Sequence, residues 1–247
     1  MSGHSKWHNI KLKKGKVDAQ RGALFTKLSK EIILAAKNGS PDPDANYRLK
    51  MAVEKARASN MPQDNIKRAI ARAGGAGERE IEEIRYEGYG PAGVAVIVDL
   101  ATDNRNRTAS EMRFLFSRND GHLGETGSVG WMFAARGVVE VDPGRLSEDD
   151  LTERALVDGV IDVRFNDGEP AEVVTEPTAL MAVKDALEAA GLRVRGAQLA
   201  MEATQTTQPG ADAEKVLTFL DALEEHEDVQ RVYSNAEFDE AQLEALA

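Results

Sequence analysis

The sequence contains no cysteine, and it has no apolar run long enough to span a bilayer. Without cysteine the chain has no disulfide, no thiolate metal ligand and no cysteine nucleophile, which suits a reducing compartment. The polar, basic N-terminus does not resemble a signal peptide. These absences predict a cytoplasmic protein without a membrane partner. The 247 residues are enough for two or three modest domains with a substantial core.

The distribution of charge is more informative than its sum. The formal net charge of -11 argues at first against a nucleic-acid partner. Residues 1–77, however, hold 16 lysines and arginines against 6 acidic residues, a net charge of +10. The remainder holds 15 basic and 36 acidic residues, a net charge of -21. Such an asymmetry indicates that one segment meets a polyanion and the rest does not.

The basic segment begins with an arm and continues as helices. Residues 1–16 contain five lysines and no acid, which predicts an arm that becomes ordered on a partner. Apolar residues then recur at helical spacing in three stretches, each bounded by capping or breaking residues such as Asp18, Pro62 and Gly74. The predicted helices span about 18–38, 45–59 and 62–74. They predict a small three-helix bundle as the first domain, 1–77.

The rest of the chain predicts α/β structure, so the fold class is α+β. Val94–Leu100 is a β-branched run typical of a buried strand, and Thr108 with Glu111 indicates a capping box for a helix to Arg118. A short strand is expected near 129–133. From residue 137 a strand–helix–strand pattern occurs twice, which predicts a ferredoxin-like unit. Its strands are expected at 137–141, 160–165, 171–175 and 193–203, its helices at 147–157 and 177–190, and its hairpin turn at Asp167-Gly168.

The last residues predict one more helix, 212–225, and one more strand, 229–234. The elements of 93–133 are too few to bury both faces of a sheet. We therefore expect the tail to complete the middle domain. The predicted α/β domains are then 78–133 plus 208–247, and an inserted ferredoxin-like domain at 134–207.

Nucleic-acid binding is the function that the basic segment favours. Phosphate contacts need long cationic side chains presented together, and an aromatic ring such as Trp7 can stack on a base or insert into a groove. A solvated basic surface with a free tail is the alternative. The candidate binding residues of this segment are Lys6, Trp7, Lys11, Lys13, Lys14, Lys16, Lys27, Lys30, Asn65, Arg68 and Arg72.

Two later loops could add contacts. The loop TDNRNRT precedes a helix, so that Asn104, Arg105 and Arg107 could hold a phosphate beside free backbone amides. Equally, Asp103 and Asn106 could cap the helix and leave the arginines solvated. The glycine-rich loop 119–130 could be a contact surface or a tight crossing beneath a tryptophan.

Signals for catalysis are weak. The G-x-G-x-x-G pattern from Gly88 to Gly93 precedes a strand and contains Pro91, so it predicts a turn and not a dinucleotide site. The histidines form no convincing metal set, although His4 and His8 have i, i+4 spacing. No nucleophile-elbow pattern occurs. We predict no enzyme, no cofactor, no metal and no small-molecule substrate.

Several long motifs resemble the YebC/PmpR family. They are GHSKWHNIK at 3–11, FTKLSKEI at 25–32, NMPQDNIKRAI at 60–70, YEGYGPAGVAVIVDLATDNRNRT at 86–108 and GSVGWMF at 127–133. The resemblance implies three domains, one helical and two α/β. One departure is Asn119-Asp120-Gly121, where the family usually has a glycine pair.

The resemblance implies two functions. Bacterial members are described as probable DNA-binding transcriptional regulators. The mitochondrial relative is a translational activator of cytochrome c oxidase, and bacterial members are linked to ribosomes stalled on proline-rich stretches.

Four hypotheses follow. In the first, the third helix with Asn65, Arg68 and Arg72 enters the major groove of DNA. In the second, the arm and bundle bind ribosomal RNA while the acidic domains contact basic ribosomal proteins. The length of the basic arm slightly favours RNA. A nuclease with an acidic metal site and a protein-binding scaffold are weaker alternatives.

Overall fold

The computed structural model describes residues 19–74, 80–165 and 170–239, with side chains from residue 22 onward. The predicted arm, the predicted cap Asp18 and the predicted turn at Asp167-Gly168 lie outside the described residues. In chain order the elements are α1 (Ala19–Lys37), α2 (Tyr47–Ala58), α3 (Gln63–Arg72), β1 (Glu82–Tyr89), β2 (Ala95–Thr102), α4 (Arg105–Arg118), β3 (His122–Leu123), β4 (Phe133–Asp142), α5 (Glu148–Ala155), β5 (Val160–Arg164), β6 (Ala171–Thr175), α6 (Leu180–Ala189), β7 (Arg193–Ala203), α7 (Ala213–Glu225) and β8 (Val229–Ser234).

The predicted fold class is confirmed. Three N-terminal helices precede two sheets, each of four antiparallel strands with helices. The chain forms two compact units, Phe133–Thr204 and the remainder. The predicted division into three domains stays a prediction, since the helices and the first sheet belong to one unit. Among the described helices, none combines the length and the apolar character needed to cross a bilayer.

The three helices pack through the apolar positions that the sequence predicts. Leu28 and Ile32 of α1 are buried with Leu49 and Ile66 of the next two helices, whereas Leu24 is 40% exposed. Asn46 joins α1 to α2. Its side-chain oxygen accepts the N–H of Leu49 at 3.1 Å, and its amide nitrogen donates to carbonyls on α1 and in the loop, each at 2.7 Å.

The first sheet combines strands from two separated segments. Its order is β3-β1-β2-β8, and all its neighbours are antiparallel. The helices α4 and α7 cover it, with Phe116 and Phe219 in edge-to-face contact at 4.9 Å between ring centroids. Asn235, after β8, accepts the N–H of Ala95 at 2.8 Å and donates to Thr207 at 3.1 Å, which ties the tail to β2.

The second sheet has the order β5-β6-β4-β7, which is the antiparallel ferredoxin-like arrangement. Its core contains Val139, Val173, Val183 and Leu187, all fully buried. Ser147 caps α5 and accepts the N–H of Asp150 at 3.1 Å.

Three local predictions were wrong. Residues 82–89 form the strand β1, so only Gly90–Gly93 of the glycine motif is a turn. The segment 130–132 is a 3-10 turn, and the strand β4 begins at Phe133. Thr108 lies inside α4 and does not cap it, since the N-cap is Asn104.

The glycine at position 88 is required by a close approach. A Cβ atom there would lie 2.6 Å from the carbonyl oxygen of His122 and 2.6 Å from a ring carbon of Phe116. β3 and α4 therefore pack directly on the backbone of β1. A glycine that serves packing in this way looks the same in the sequence as a glycine that serves a turn.

Candidate nucleic-acid interface

Two residues that the sequence predicts as phosphate ligands make their contacts within the protein itself. Lys27 donates to the carbonyl oxygen of Glu224, and Lys30 donates to the carbonyl oxygen of Glu227 at 3.2 Å. These carbonyls lie at the C-terminal end of α7, where the helix dipole favours a cation. The cations of α1 thus fasten the helical bundle to the sheet.

Lys30 also belongs to a buried cluster around Asp228. The carboxylate of Asp228 has no solvent-exposed area and forms an ion pair with Lys30. Its other oxygen accepts from Nη2 of Arg107 and from the hydroxyl of Thr108, each at 2.7 Å. The Thr108 hydroxyl lies 2.7 Å from that of Thr102 in β2. One carboxylate therefore links α1, α4 and β2, and we call these five residues the Asp228 cluster.

The charge state of Asp228 follows from these contacts. Burial on its own would raise the pKa of Asp228, but hydrogen bonds from Lys30 and Thr108 and the positive charges of Lys30 and Arg107 outweigh it. The pKa of this carboxyl therefore lies below its ordinary value. Asp228 is therefore an anion at neutral pH and forms ion pairs with both cations.

The three candidate binding residues of the loop before α4 have different roles in the structure. The side chain of Asn104 caps the helix by accepting the N–H of Arg107 at 3.2 Å. The guanidinium of Arg107 lies among acids, 3.2 Å from Glu227 and 2.7 Å from Asp228. Arg105 is exposed and has no hydrogen-bond or ion-pair partner within the described parts of the chain. Arg105 is therefore the residue of this loop whose side chain is exposed to solvent without a partner among the described residues.

A possible metal group in this region is better explained as part of the ion-pair network. Glu111, His226 and Asp228 have ligand atoms within 4.8 Å of one another. The N–H of Asp228 donates to Nδ1 of His226 at 3.1 Å, so the imidazole proton is on Nε2, which lies 3.0 Å from a carboxylate oxygen of Glu111. A metal on Nε2 would have to displace that proton. Asp228 is also already paired with two cations, so these residues do not fit a metal ion.

The third helix brings its three predicted residues to one face. Asn65, Arg68 and Arg72 are three and four residues apart on α3. Arg68 is exposed, and it donates to the side-chain oxygen of Asn65 and to the carbonyl of Asp64. Lys67 is exposed beside them. α3 thus presents a basic surface that is supported by contacts within the helix.

The glycine-rich loop is held by a buried acid that the sequence analysis missed. Glu87 of β1 accepts the N–H groups of Gly127 and Val129 at 2.9 Å each and of Gly130 at 2.7 Å. Burial would raise the pKa of Glu87, but these three backbone donors lower it. Trp131 donates to the carbonyl of Ser128 at 3.2 Å, and the Trp131 residue stays 62% exposed. The loop is therefore a fixed crossing that holds a tryptophan at the surface.

The backbone conformation explains how Asn119-Asp120-Gly121 can differ from the glycine pair that the family resemblance implies. Asp120 has φ 57°, a left-handed conformation that glycine adopts without strain and that aspartate tolerates better than most residues. Gly121 is needed for close approach, because a Cβ there would lie 2.6 Å from the carbonyl oxygen of Tyr89. The chain thus keeps the turn with one glycine where the family usually has two.

The fold and its basic module define an α+β protein in which a helical module precedes two antiparallel sheets. The family model for the TACO1/YebC N-terminal domain matches residues 5–76, and the model for the TACO1/YebC second and third domain matches residues 81–236. The chain belongs to the TACO1/YebC family, which confirms the resemblance seen in its motifs.

Two bacterial proteins are similar to this chain over its full length. A protein of Rubrobacter xylanophilus is 50% identical over 250 residues, covering 100% of both chains. A protein of Moorella thermoacetica is 49% identical and covers 100% of this chain and 99% of its own. Both are named probable transcriptional regulatory proteins.

A solved structure supports the fold. It is a conserved hypothetical protein, Aq1575, from Aquifex aeolicus, which is 44% identical to this chain with a TM-score of 0.83. The match covers 91% of this chain and 93% of the other.

Proposed function

We propose that the protein is a non-enzymatic regulator of gene expression that binds nucleic acid through its basic N-terminal module. The observation that carries this proposal is the charge of residues 1–77, a net of +10 in a chain whose net charge is -11. Cations concentrated in this way release counterions from a phosphate backbone on binding. The name of the relatives, transcriptional regulatory protein, agrees with a nucleic-acid partner.

The contacts of the described residues divide the candidates into two groups. Arg68, Arg72 and Arg105 are exposed and are proposed to contact phosphate. Lys30 and Arg107 are proposed to hold the module in place through Asp228, because both already form ion pairs with that carboxylate. Asn104 and Lys27 join this second group through the helix cap and the end of α7. The arm lysines and Trp7 remain proposed contacts outside the described residues.

Duplex DNA is the first candidate target. α2 and α3 are separated by the four residues 59–62, a connection of the length found in helix-turn-helix motifs. In that arrangement the second helix enters the major groove, which would place Asn65, Arg68 and Arg72 of α3 against the DNA. The relatives' name favours this target.

Ribosomal RNA is the second candidate target. The arm, with five lysines and no acid in residues 1–16, is more basic than the exposed face of α3. The 36 acidic residues beyond the module would repel a long DNA duplex but suit basic ribosomal proteins as neighbours. Folded RNA is recognised largely through shape and phosphate contacts, which the lysines of a basic arm can supply.

The experiment that separates these targets uses the tagged full-length chain. Cell lysate is sedimented through sucrose at several salt concentrations, beside a variant that lacks residues 1–16. Salt-sensitive migration with ribosomes that disappears in the truncated variant supports the RNA form. A protein that stays at the top of each gradient but shifts duplex DNA at moderate salt supports the DNA form.

Matched variants test the module itself. Arg68→Ala with Arg72→Ala should weaken binding and reduce the slope of log affinity against log salt by about 1 for each phosphate that is no longer neutralised. Arg154→Ala, an exposed arginine in α5, should leave binding unchanged. Full-length protein that binds neither DNA nor RNA, or that cleaves either in the presence of Mg²⁺, would overturn the proposal.

A further inference from the structure

The outer face of α4, the side opposite the buried Met112 and Phe116, carries positive charge and no acidic side chain. Arg105, Arg113 and Arg118 are exposed on this helix, and Phe114 lies among them with 60% of its surface exposed. The one acidic residue of α4, Glu111, faces His226 instead. A basic helix face with an exposed aromatic ring thus occurs in the part of the chain that is acidic on average.

Arg105, Arg113 and Arg118 have no acidic partner among the residues that the structure describes. Arg107 on the same helix is paired with Asp228 at 2.7 Å, as Arg85 is with Asp99 at 2.6 Å. By contrast, Arg105, Arg113 and Arg118 have no hydrogen bond or ion pair within the described residues. Arg118 has one contact, with its guanidinium carbon 5.9 Å from the centroid of the Phe114 ring. These guanidinium groups are thus available to an anionic ligand.

The spacing on the helix suits an extended polyanion. Arg113, Phe114 and Arg118 lie on the side of α4 opposite the buried Met112 and Phe116. At 1.5 Å per residue, Arg113 and Arg118 lie about 8 Å apart along the axis, and Arg105 lies at the N-terminal end of the helix, about 12 Å from Arg113. The side chains between them on this face are small and polar, namely Asn106, Ser110 and Ser117. They allow a strand to approach closely and offer hydrogen bonds to sugar or phosphate oxygens.

Phe114 identifies the form of nucleic acid. An exposed aromatic ring stabilises a complex by stacking on a base, and a base is available for stacking only where it is unpaired. Within a duplex the bases stack on one another and leave no face for a side chain on a helix surface. RNA loops and single-stranded stretches present such bases, and they are the usual targets of aromatic side chains.

We propose that the outer face of α4 binds a single-stranded stretch of RNA, with one base stacked on Phe114 and the phosphates contacted by Arg105, Arg113 and Arg118. This proposal rests on the proposed function, because it names the target class and a second binding surface. Arg105 is among the binding residues predicted from the sequence, whereas Arg113, Phe114 and Arg118 are not. Their exposure on α4 is visible only in the structure.

The test measures binding of the full-length chain to a fluorescein-labelled, unstructured RNA of twelve nucleotides by fluorescence anisotropy. Phe114→Ala should weaken binding about 5- to 100-fold, and Phe114→Trp should retain it because a ring remains. Arg113→Ala and Arg118→Ala should each reduce the salt slope by about 0.7, the value for one contact on a single strand. The controls are Leu156→Ala and Arg154→Ala, which remove an exposed apolar and an exposed basic side chain from the other unit.

The outcomes separate this inference from the proposed function. If the α4 variants bind the RNA within twofold of the unaltered chain while removal of residues 1–16 abolishes binding, the surface is wrong and the proposed function stands. A loss of duplex DNA binding equal to the loss of single-stranded RNA binding in Phe114→Ala also overturns the stacking role. If the unaltered chain binds no nucleic acid, both this inference and the proposed function are wrong. Circular dichroism melting of each variant shows whether its fold is retained.

Discussion

Replacement of Asp228 by asparagine tests whether the Asp228 cluster holds the helical bundle on the first sheet. The asparagine keeps the shape of the side chain but removes its charge. Lys30 then loses its carboxylate partner, and Arg107 keeps, among the described residues, only Glu227 as an acid within hydrogen-bond distance. The new amide group also presents its N–H donors to the N–H donors of both cations. The variant should therefore be less stable than the unaltered chain.

The magnitude follows from the burial of the three charges. Removal of one partner from a buried ion pair destabilises a protein by about 3–5 kcal/mol. Asp228 has no exposed area, but the side chain of Lys30 is 13% exposed and that of Arg107 is 37% exposed, so both cations can recover part of their hydration. We expect a loss of about 3 kcal/mol at neutral pH, or about 6–12 °C in melting temperature for a unit of this size.

The effect should depend on pH with a definite sign. Because the pKa of Asp228 is lower in the folded than in the unfolded chain, its carboxylate stabilises the fold fully above the unfolded value of about 4. This stabilisation is lost as the pH falls through the folded pKa. The difference between the unaltered chain and Asp228→Asn should therefore be largest near pH 7 and should shrink below about pH 4.

Urea unfolding followed by circular dichroism at several pH values measures the effect. Glu54→Gln, an exposed acid on α2, is the matched control and should change the free energy of unfolding by less than about 0.5 kcal/mol. Lys30→Met combined with Asp228→Asn should be less destabilising than the sum of the single changes, because neither charge is then left alone. A decrease in the free energy of unfolding below about 1 kcal/mol for Asp228→Asn, or strict additivity of the two changes, would show that the Asp228 cluster does not hold the helical bundle on the first sheet.

Two further predictions concern local packing. Glu87→Gln should destabilise the unit that contains the first sheet by about 2 kcal/mol and alter the fluorescence of Trp131, because an amide cannot accept all three backbone donors. Glu125→Gln in the same loop should have no effect, because this side chain is exposed. Gly88→Ala should cost at least about 2 kcal/mol, since its Cβ would lie 2.6 Å from backbone and ring atoms, whereas Gly22→Ala in α1, with nothing within 4 Å, should stabilise by about 0.5–1 kcal/mol. Melting temperatures that move in the same direction for both glycine variants would contradict this assignment.

The helices were predictable from sequence because their signal is local. The buried positions of α2 and α3, such as Leu49, Val53 and Ile66, recur at helical spacing, and a packed helix needs little else to be recognised. β8 and the ferredoxin-like unit were found in the same way from short apolar runs between turn residues.

The strand β1 was missed because its sequence contradicts the usual pattern. Residues EEIRYEGY include three glutamates and a glycine, which favour an exposed loop over a strand. The structure buries Glu87 because three backbone N–H groups of a distant loop converge on it. Nothing in residues 82–89 alone shows that these donors will be there.

The candidate site was only partly predictable for a related reason. Lys30 and Arg107 have the chemistry of phosphate ligands, and the sequence shows no acid beside Lys30 that would neutralise it except Glu31. Their partner Asp228 is 198 and 121 residues away along the chain. Ion pairs between residues so far apart in the sequence depend on the whole fold. The pattern of cations in the sequence therefore cannot show which of them are already paired with an acid.

The charge of a segment is therefore an incomplete guide to where a polyanion binds. Lys30 belongs to the basic segment, yet Asp228 neutralises it, whereas Arg113 and Arg118 belong to the acidic remainder and have no acidic partner within the described residues. At a Debye length of about 8 Å, a phosphate responds to the groups that surround it and not to the sum over a domain. The binding surface of this protein should accordingly include the exposed arginines beside Phe114, which extends the proposed interface beyond residues 1–77 to the outer face of α4.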